Sequence, residues 1–211
     1  VSFFDPPPPP PEPPEEAFER KPWWGAPRNE VGISTGLRLV LARTDEVAVA
    51  LLDAIAFSTG LSFTLAVLRR SPDLHVRFDD PLGRFGDARR GPQELPPELL
   101  RFGIEFSDGR KATSLGMPAL TAQEEDEPQG PFLTPGGGGG GPDYWETSFW
   151  LWPLPPPGRL SFVVEWPAEE IAQTRHEVET ESIIEAAGRA EALWPPAPPG
   201  SRGFGASRTD Y

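Results

Sequence analysis

Bulky rings alternate sides along YWETSFWLW (144–152). On an extended chain Thr147, Phe149 and Leu151 share one side, while Ser148, Trp150 and Trp152 share the other. RLSFVVEW (159–166) repeats the pattern, with Leu160, Phe162, Val164 and Trp166 alternating against Ser161, Val163 and Glu165. A period of two specifies β structure. A strand that is apolar on both sides needs cover on both sides, so one sheet is not enough. The first side requires an opposing sheet. The second, carrying Trp150 and Trp152, requires the N-terminal arm, the C-terminal helix or a partner molecule.

Other segments agree. LRLVLAR places Leu37, Leu39 and Leu41 on one face, and VAVALLDAIAF (47–57) is apolar on both faces, as a central strand is. LSFTLAVLR alternates Leu61, Phe63, Leu65 and Val67 with Ser62, Thr64 and Ala66. With the turns TDE and STG between them, the three runs read as an antiparallel meander. Phe102, Ile104 and Phe106 face inward in LLRFGIEFSDGRKATSL, where Asp108-Gly109 has hairpin-turn chemistry leading into 111–115. Residues 71–98 read as a surface excursion with a short edge strand at 75–78, and 121–141 as a second long loop.

That second loop ends in six glycines, Gly136–Gly141, directly before the aromatic run. Two readings stand: the glycines are slack that lets the following strand pair cross between sheets, or they are a slippage product of a GC-rich gene with no role. PLPPPG (153–158) reads as a stiff hairpin connection between the pair.

The termini differ in character. DPPPPPPEPP (5–14) is polyproline II, since proline lacks the N–H and fixes φ. Trp23 and Trp24 follow, and they pin this arm either to the body's own surface or to a partner. PAEEIAQTR (167–175) opens like a helix, with proline and acids in its first turn. SIIEAAGRAEALW (182–194) is a stronger helix, with a Ser182–Glu185 capping box, Glu179 and Glu181 at the positive end of the dipole, and a stripe of Ile183, Ala187, Ala190 and Trp194. Pro195-Pro196 stop it. The expected organisation is an arm at 1–30, a body at 31–196 and a loose tail at 197–211.

The balance of charge and residue types excludes several classes. Nineteen basic against 32 acidic residues give a net charge of −13, and no basic patch interrupts it, so nucleic acid is not an expected partner. Absence of cysteine removes disulfides, thiolate catalysis and cysteine-bound zinc. No apolar run approaches the roughly 20 residues of a membrane span. The first residues carry no leader-like segment, and the expectation is a cytoplasmic protein, with secretion left open.

Candidate chemistry is sparse. His75 and His176, the two histidines, have no second ligand at metal spacing, and no Gly-x-Ser-x-Gly elbow is present. The acidic stretch QEEDEPQG (123–130) lacks the ligand order of a calcium loop, and the glycine run lacks the Lys-Ser/Thr of a phosphate loop. No metal or cofactor is implied. Glu105, Glu146 and Glu165, on strands near aromatics, are the best candidates for paired carboxylates acting on a glycoside. The aromatics Trp23, Trp24, Trp145, Trp150 and Trp152 are the candidate interaction residues.

Gly136–Pro195, with its FWLWPLPPPG and FVVEWPA motifs, resembles a family of high-GC actinobacterial proteins with no assigned activity. Weaker similarity extends to LRLVLARTDEVAVAL and GIEFSDGRKAT. The resemblance implies a bacterial, cytosolic origin and transfers no catalytic residue. The combined expectation is a mainly β, antiparallel sandwich-like single domain of seven to nine strands, with a C-terminal helix and a proline-rich N-terminal arm. Its leading functional reading is a non-enzymatic interaction or structural module, binding a protein partner or a second copy through the arm. The alternative is a carbohydrate-binding or glycoside-acting sandwich that uses Trp150, Trp152 and Glu165.

Overall fold

The computed structural model describes residues 21–71, 82, 95–115 and 129–194. The expected polyproline run, the edge strand at 75–78 with His75, and the tail at 197–211 lie outside them. The strands in chain order are β1 (Glu30–Val31), β2 (Ile33–Ser34), β3 (Leu39–Arg43), β4 (Val47–Phe57), β5 (Gly60–Arg69), β6 (Arg101–Glu105), β7 (Lys111–Thr113), β8 (Phe132–Gly140), β9 (Tyr144–Trp152), β10 (Arg159–Trp166), β11 (Ile171–Glu179) and β12 (Glu191–Ala192). Among the described residues one α-helix, α1 (Glu181–Ala187), interrupts them. The chain is a mainly antiparallel β protein with a sandwich-like body. Among the described residues there are twelve strand segments against the seven to nine expected, because short strands such as β1, β2 and β12 are too brief to show a period.

Two sheets make the sandwich. The larger has the order β2-β4-β5-β9-β8, with β3 also paired to β4, and the smaller has the order β11-β10-β6-β7. The meander of β3, β4 and β5 forms as its alternation predicts, with a bulge in β3 at Leu41. In β5, β6, β9 and β10 the inner face is the apolar face read from the sequence. Phe63 and Phe149 from the larger sheet meet Phe102 and Phe162 from the smaller, with ring centroids 5.5–6.4 Å apart. The geometries are mixed stacked, tilted and edge-on, as aromatic quadrupoles favour. Around this quartet Leu61, Leu65, Leu151 and Leu160 are excluded from water.

The hairpin from β6 to β7 turns at Asp108-Gly109, as expected. Gly109 has φ +84°, and Asp108 accepts from the Arg110 amide. The strand is shorter than the sequence suggests, ending at Thr113.

The glycine run is not slack. Residues up to Gly140 are the C-terminal half of β8, paired with β9. A bulge sets Gly136 and Gly137 against Ser148, whose hydroxyl donates to the Gly137 carbonyl at 3.0 Å. A side chain at Gly136 would meet that hydroxyl at 2.3 Å, so it would displace Ser148 Oγ from the Gly137 carbonyl. The crossing between sheets falls instead on Pro153–Gly158. β9 and β10 are therefore not a hairpin: they lie in different layers. The linker is held at both ends, by Leu154 N–H to the Thr59 carbonyl (2.9 Å), Ser107 Oγ to the Pro157 carbonyl (3.0 Å) and Thr180 Oγ1 to the Pro156 carbonyl (3.0 Å).

The helix expectations also need correction. Pro167–Glu169 forms a 3-10 turn, and Glu170, in the left-handed region at φ 57°, sends the chain straight into β11. The period of two in β11 was hidden because its inward positions include Thr174 and His176. Both side chains bond to the Leu41 carbonyl, at 2.9 and 2.8 Å. Glu179 belongs to this strand. In α1 the residue at the N-cap is Thr180, not Ser182, and its hydroxyl is committed to Pro156, so no capping box forms. The helix stops at Gly188. Ile183, Ala186 and Ala187 are buried, while Ala190 and Trp194 lie beyond the helix end. Gly188 and the return of the chain to pair with β1 override the longer stripe.

The Phe102→Ala variant is expected to lose about 3–5 kcal/mol of stability, the cost of a large cavity between the sheets. Val40→Ala, at an exposed position, is expected to stay within about 0.5 kcal/mol. Urea unfolding followed by far-UV circular dichroism checks both.

Candidate functional site

The second face of β9 carries the most distinctive side-chain group. Trp150 and Trp152 project away from the quartet onto the outer face of the larger sheet, yet each is only 5% exposed. Their cover is the chain's own arm. Pro22–Trp24 forms a 3-10 turn that lays Trp23 on Trp152, with ring centroids 5.5 Å apart. Phe57 from β4 meets Trp150 edge-on at 5.8 Å, and Phe132 from β8 stacks on Trp152 at 6.0 Å. Trp24 and Ala26 pack against the same cluster.

The arm is also held through its backbone. Trp150 Nε1–H donates to the Pro22 carbonyl at 2.9 Å, and Thr134 Oγ1 donates to the Trp23 carbonyl at 3.1 Å. Glu30 then ties the returning chain to the end of β4, accepting from the Ser58 amide at 3.0 Å and from its hydroxyl at 2.5 Å. Gly60 makes room for the ledge, since a Cβ there would meet the Leu151 carbonyl at 2.4 Å and the Trp150 ring at 2.7 Å. An aromatic ledge with one indole N–H and one hydroxyl aimed at peptide carbonyls holds an extended or turned peptide segment.

Of the five aromatics singled out in the sequence, Trp23, Trp24, Trp150 and Trp152 come together here. Trp145 does not. It shares the inward parity of Thr147 and Phe149, and it packs, half-buried, at the border of the main core. Sequence reasoning passed over Phe57, Gly60, Phe132 and Thr134. Thr134 and Phe132 lie opposite Trp150 and Trp152, so correct pairing of β8 with β9 would have revealed them.

The carboxylates are not brought together. Glu105 and Glu165 lie on the outer face of the smaller sheet, the opposite side of the sandwich from Trp150 and Trp152. Glu105 faces Ser161, four residues along β10 from Glu165. At about 3.3 Å per residue that is roughly 13 Å, beyond the roughly 5–10 Å of a glycosidase pair. Each is engaged by base: Glu105 by Arg175 (2.7 Å) and Lys111 (3.4 Å), Glu165 by Arg101 (2.7 Å). Glu146 is on the other sheet and accepts a short hydrogen bond from the Tyr144 hydroxyl, which raises the Tyr144 pKa above its ordinary value. His176 is occupied by the Leu41 carbonyl. Among the described residues no group of three or more His, Cys, Asp or Glu side chains is placed to hold a metal ion, and no helix is long and apolar enough to cross a membrane.

Comparison with protein-family models, with curated proteins and with solved structures gave no match. The chemistry of the surface therefore rests on its own geometry.

The hydrogen bond from Arg175 holds the Glu105 carboxyl below the ordinary carboxylate range, aided by the charge of Arg175 and by Lys111. A depressed folded-state value means that the contribution to stability is present above the unfolded-state value. It is lost as pH falls through the folded value. Arg175→Gln is expected to move the Glu105 titration upward and to remove that acid-side loss, read by carboxyl carbon chemical shifts across pH 2–6 (roughly the carboxylate range).

Proposed function

We propose that this chain is a non-enzymatic interaction module of a bacterial protein, and that the ledge of Phe57, Phe132, Trp150 and Trp152 is its recognition surface. The segment it takes contains proline followed by tryptophan. In this chain Lys21–Trp24 fills the ledge in cis. The observation that carries the reading is the pair of bonds from Trp150 and Thr134 to consecutive main-chain carbonyls of the arm, made over an aromatic floor. Main-chain bonds with aromatic packing are how proline-rich segments are recognised in general. The same contacts serve a segment from a partner protein or from a second copy, because an identical element exchanged between copies meets identical surroundings.

Several features support a binding role over catalysis. Glu105 and Glu165 are held in ion pairs on a different face from the tryptophans, and Glu146 bonds the Tyr144 hydroxyl. The carbohydrate reading needs Trp150, Trp152 and Glu165 around one sugar, and these residues lie on opposite outer faces.

A fluorescein-labelled peptide of residues 18–27 (FERKPWWGAP) tests the proposal. Trp23→Ala in the full chain weakens the cis contact, so this variant is expected to bind the peptide at least ten-fold more tightly than the unmodified chain, by fluorescence anisotropy. Adding Trp150→Phe, which removes the N–H donor, is expected to reverse the gain. Failure of the Trp23→Ala chain to bind, with its thermal unfolding still cooperative, contradicts the proposal.

A further inference from the structure

Among the described residues the larger sheet ends at β8, and the two halves of that edge differ. The first half is engaged. Thr134 bonds the arm, and near the start of β8 the Arg110 guanidinium from the β6–β7 turn donates to the Gly130 carbonyl at 3.2 Å. At the opposite margin of the sandwich, Thr174 and His176 of β11 close on β3 through the Leu41 carbonyl. The second half of β8, Gly136–Gly140, is exposed.

The ladder fixes which groups point outward there. Gly141 N–H bonds the Tyr144 carbonyl, and Gly140, Gly139 and Gly138 pair in turn with Trp145, Glu146 and Thr147. Antiparallel pairing alternates inward- and outward-directed groups, so Gly138 and Gly140 turn their N–H and C=O away from β9. Such an edge is a template for an added strand, and it is ordinarily blunted by charge, proline or a bulge. Pro135 and the bulge at Gly136–Gly137 blunt its first part, leaving Gly138–Gly140 regular.

Two of the glycines are unexplained by the fold. Gly140 is required by the Tyr144 carbonyl, which a Cβ would meet at 2.1 Å, and Gly136 leaves room for the Ser148 hydroxyl. A Cβ on Gly137 or Gly139 would meet nothing within 4 Å. A strand-forming residue fits there, and would favour the strand over the more flexible glycine. What the missing side chains do create is a gap. Gly139 lies beside Glu146 on the same face, so a long side chain on a strand added outside β8 passes over Gly139 to reach the Glu146 carboxylate.

Charge selects the occupant. β8 and β9 carry no lysine or arginine, Glu146 and Asp143 are exposed, and among the described residues Glu146 accepts from the uncharged Tyr144 hydroxyl. A second copy of this acidic chain would bring carboxylate toward carboxylate. We infer that Gly138–Gly140 of β8 is a strand-addition site for an extended, cationic segment of another protein, whose main chain pairs with Gly138 and Gly140 and whose lysine or arginine crosses Gly139 to Glu146. This site is separate from the aromatic ledge.

The probe is the peptide acetyl-KTKTKTKT-amide against the full chain, with acetyl-ETETETET-amide as control. Saturating lysine peptide is expected to slow amide hydrogen exchange at Gly138 and Gly140 at least ten-fold, with no effect from the glutamate peptide. Glu146→Gln and Gly139→Thr are each expected to weaken binding at least five-fold while leaving the melting temperature unchanged or raised. Trp23→Ala is expected to leave it unaltered, which separates this site from the ledge. The inference is overturned by unchanged exchange at both glycines, by equal protection from the glutamate peptide, or by undiminished binding to the two site variants. It is also overturned if both amides are already protected in a chain that sediments as a dimer, which would assign the edge to a second copy.

Discussion

Burial of β9 on both of its faces is the constraint on which the rest of the molecule depends. One face contributes Phe149 to the quartet that joins the two sheets, and the other contributes Trp150 and Trp152 to a second, smaller cluster. A sheet strand that hides both faces must be central in depth as well as in order. The first face obliges β10 to leave the sheet of β9, because Phe162, beside Phe102 in the smaller sheet, has to meet Phe63 from the opposite layer. The proline-rich crossover makes that departure, and three hydrogen bonds hold it in place. The second face obliges the chain to spend part of its N-terminal arm as cover.

The cover differs in kind from the core. Phe149 sits among side chains supplied by several strands, each tied into a ladder. Trp23 reaches its place on a short turn that is joined to the body by Glu30 and Ser58, and its contacts include a tilted indole pair and two bonds to main-chain carbonyls. Those are the contacts a separate peptide makes. The arm is held by a ring pair and main-chain bonds from a turn, whereas the quartet is held by ladders on several strands. That contrast is what allows one surface to be both a structural seam and a binding ledge.

Sequence reasoning went furthest where the inward residues are uniformly apolar. The alternation in β5, β6, β9 and β10 gave the faces residue by residue, and the meander and the Asp108-Gly109 turn followed from spacing. It failed where polar residues occupy inward positions. Thr174 and His176 face β3 and hide the period of β11, while an opening proline with acids imitates a helix start. It failed again at Gly136–Gly140, because glycine carries no side chain from which to read a period, and strand pairing there is set by β9. The ledge was half legible. The tryptophans stood out by size, but Thr134, Phe57 and Gly60 matter through cross-strand register, which the linear order does not display. Trp145 lies apart from the ledge, against the main core. Its parity with Phe149 points it inward.

Proton–proton nuclear Overhauser contacts from the Trp152 indole test the two-sided burial of β9 most directly. The account predicts cross-peaks from Trp152 to Trp23 and Phe132, together with cross-peaks from Phe149 to Phe102. Cross-peaks from Trp152 to Phe63 or Phe102, or their absence to Trp23, would contradict it.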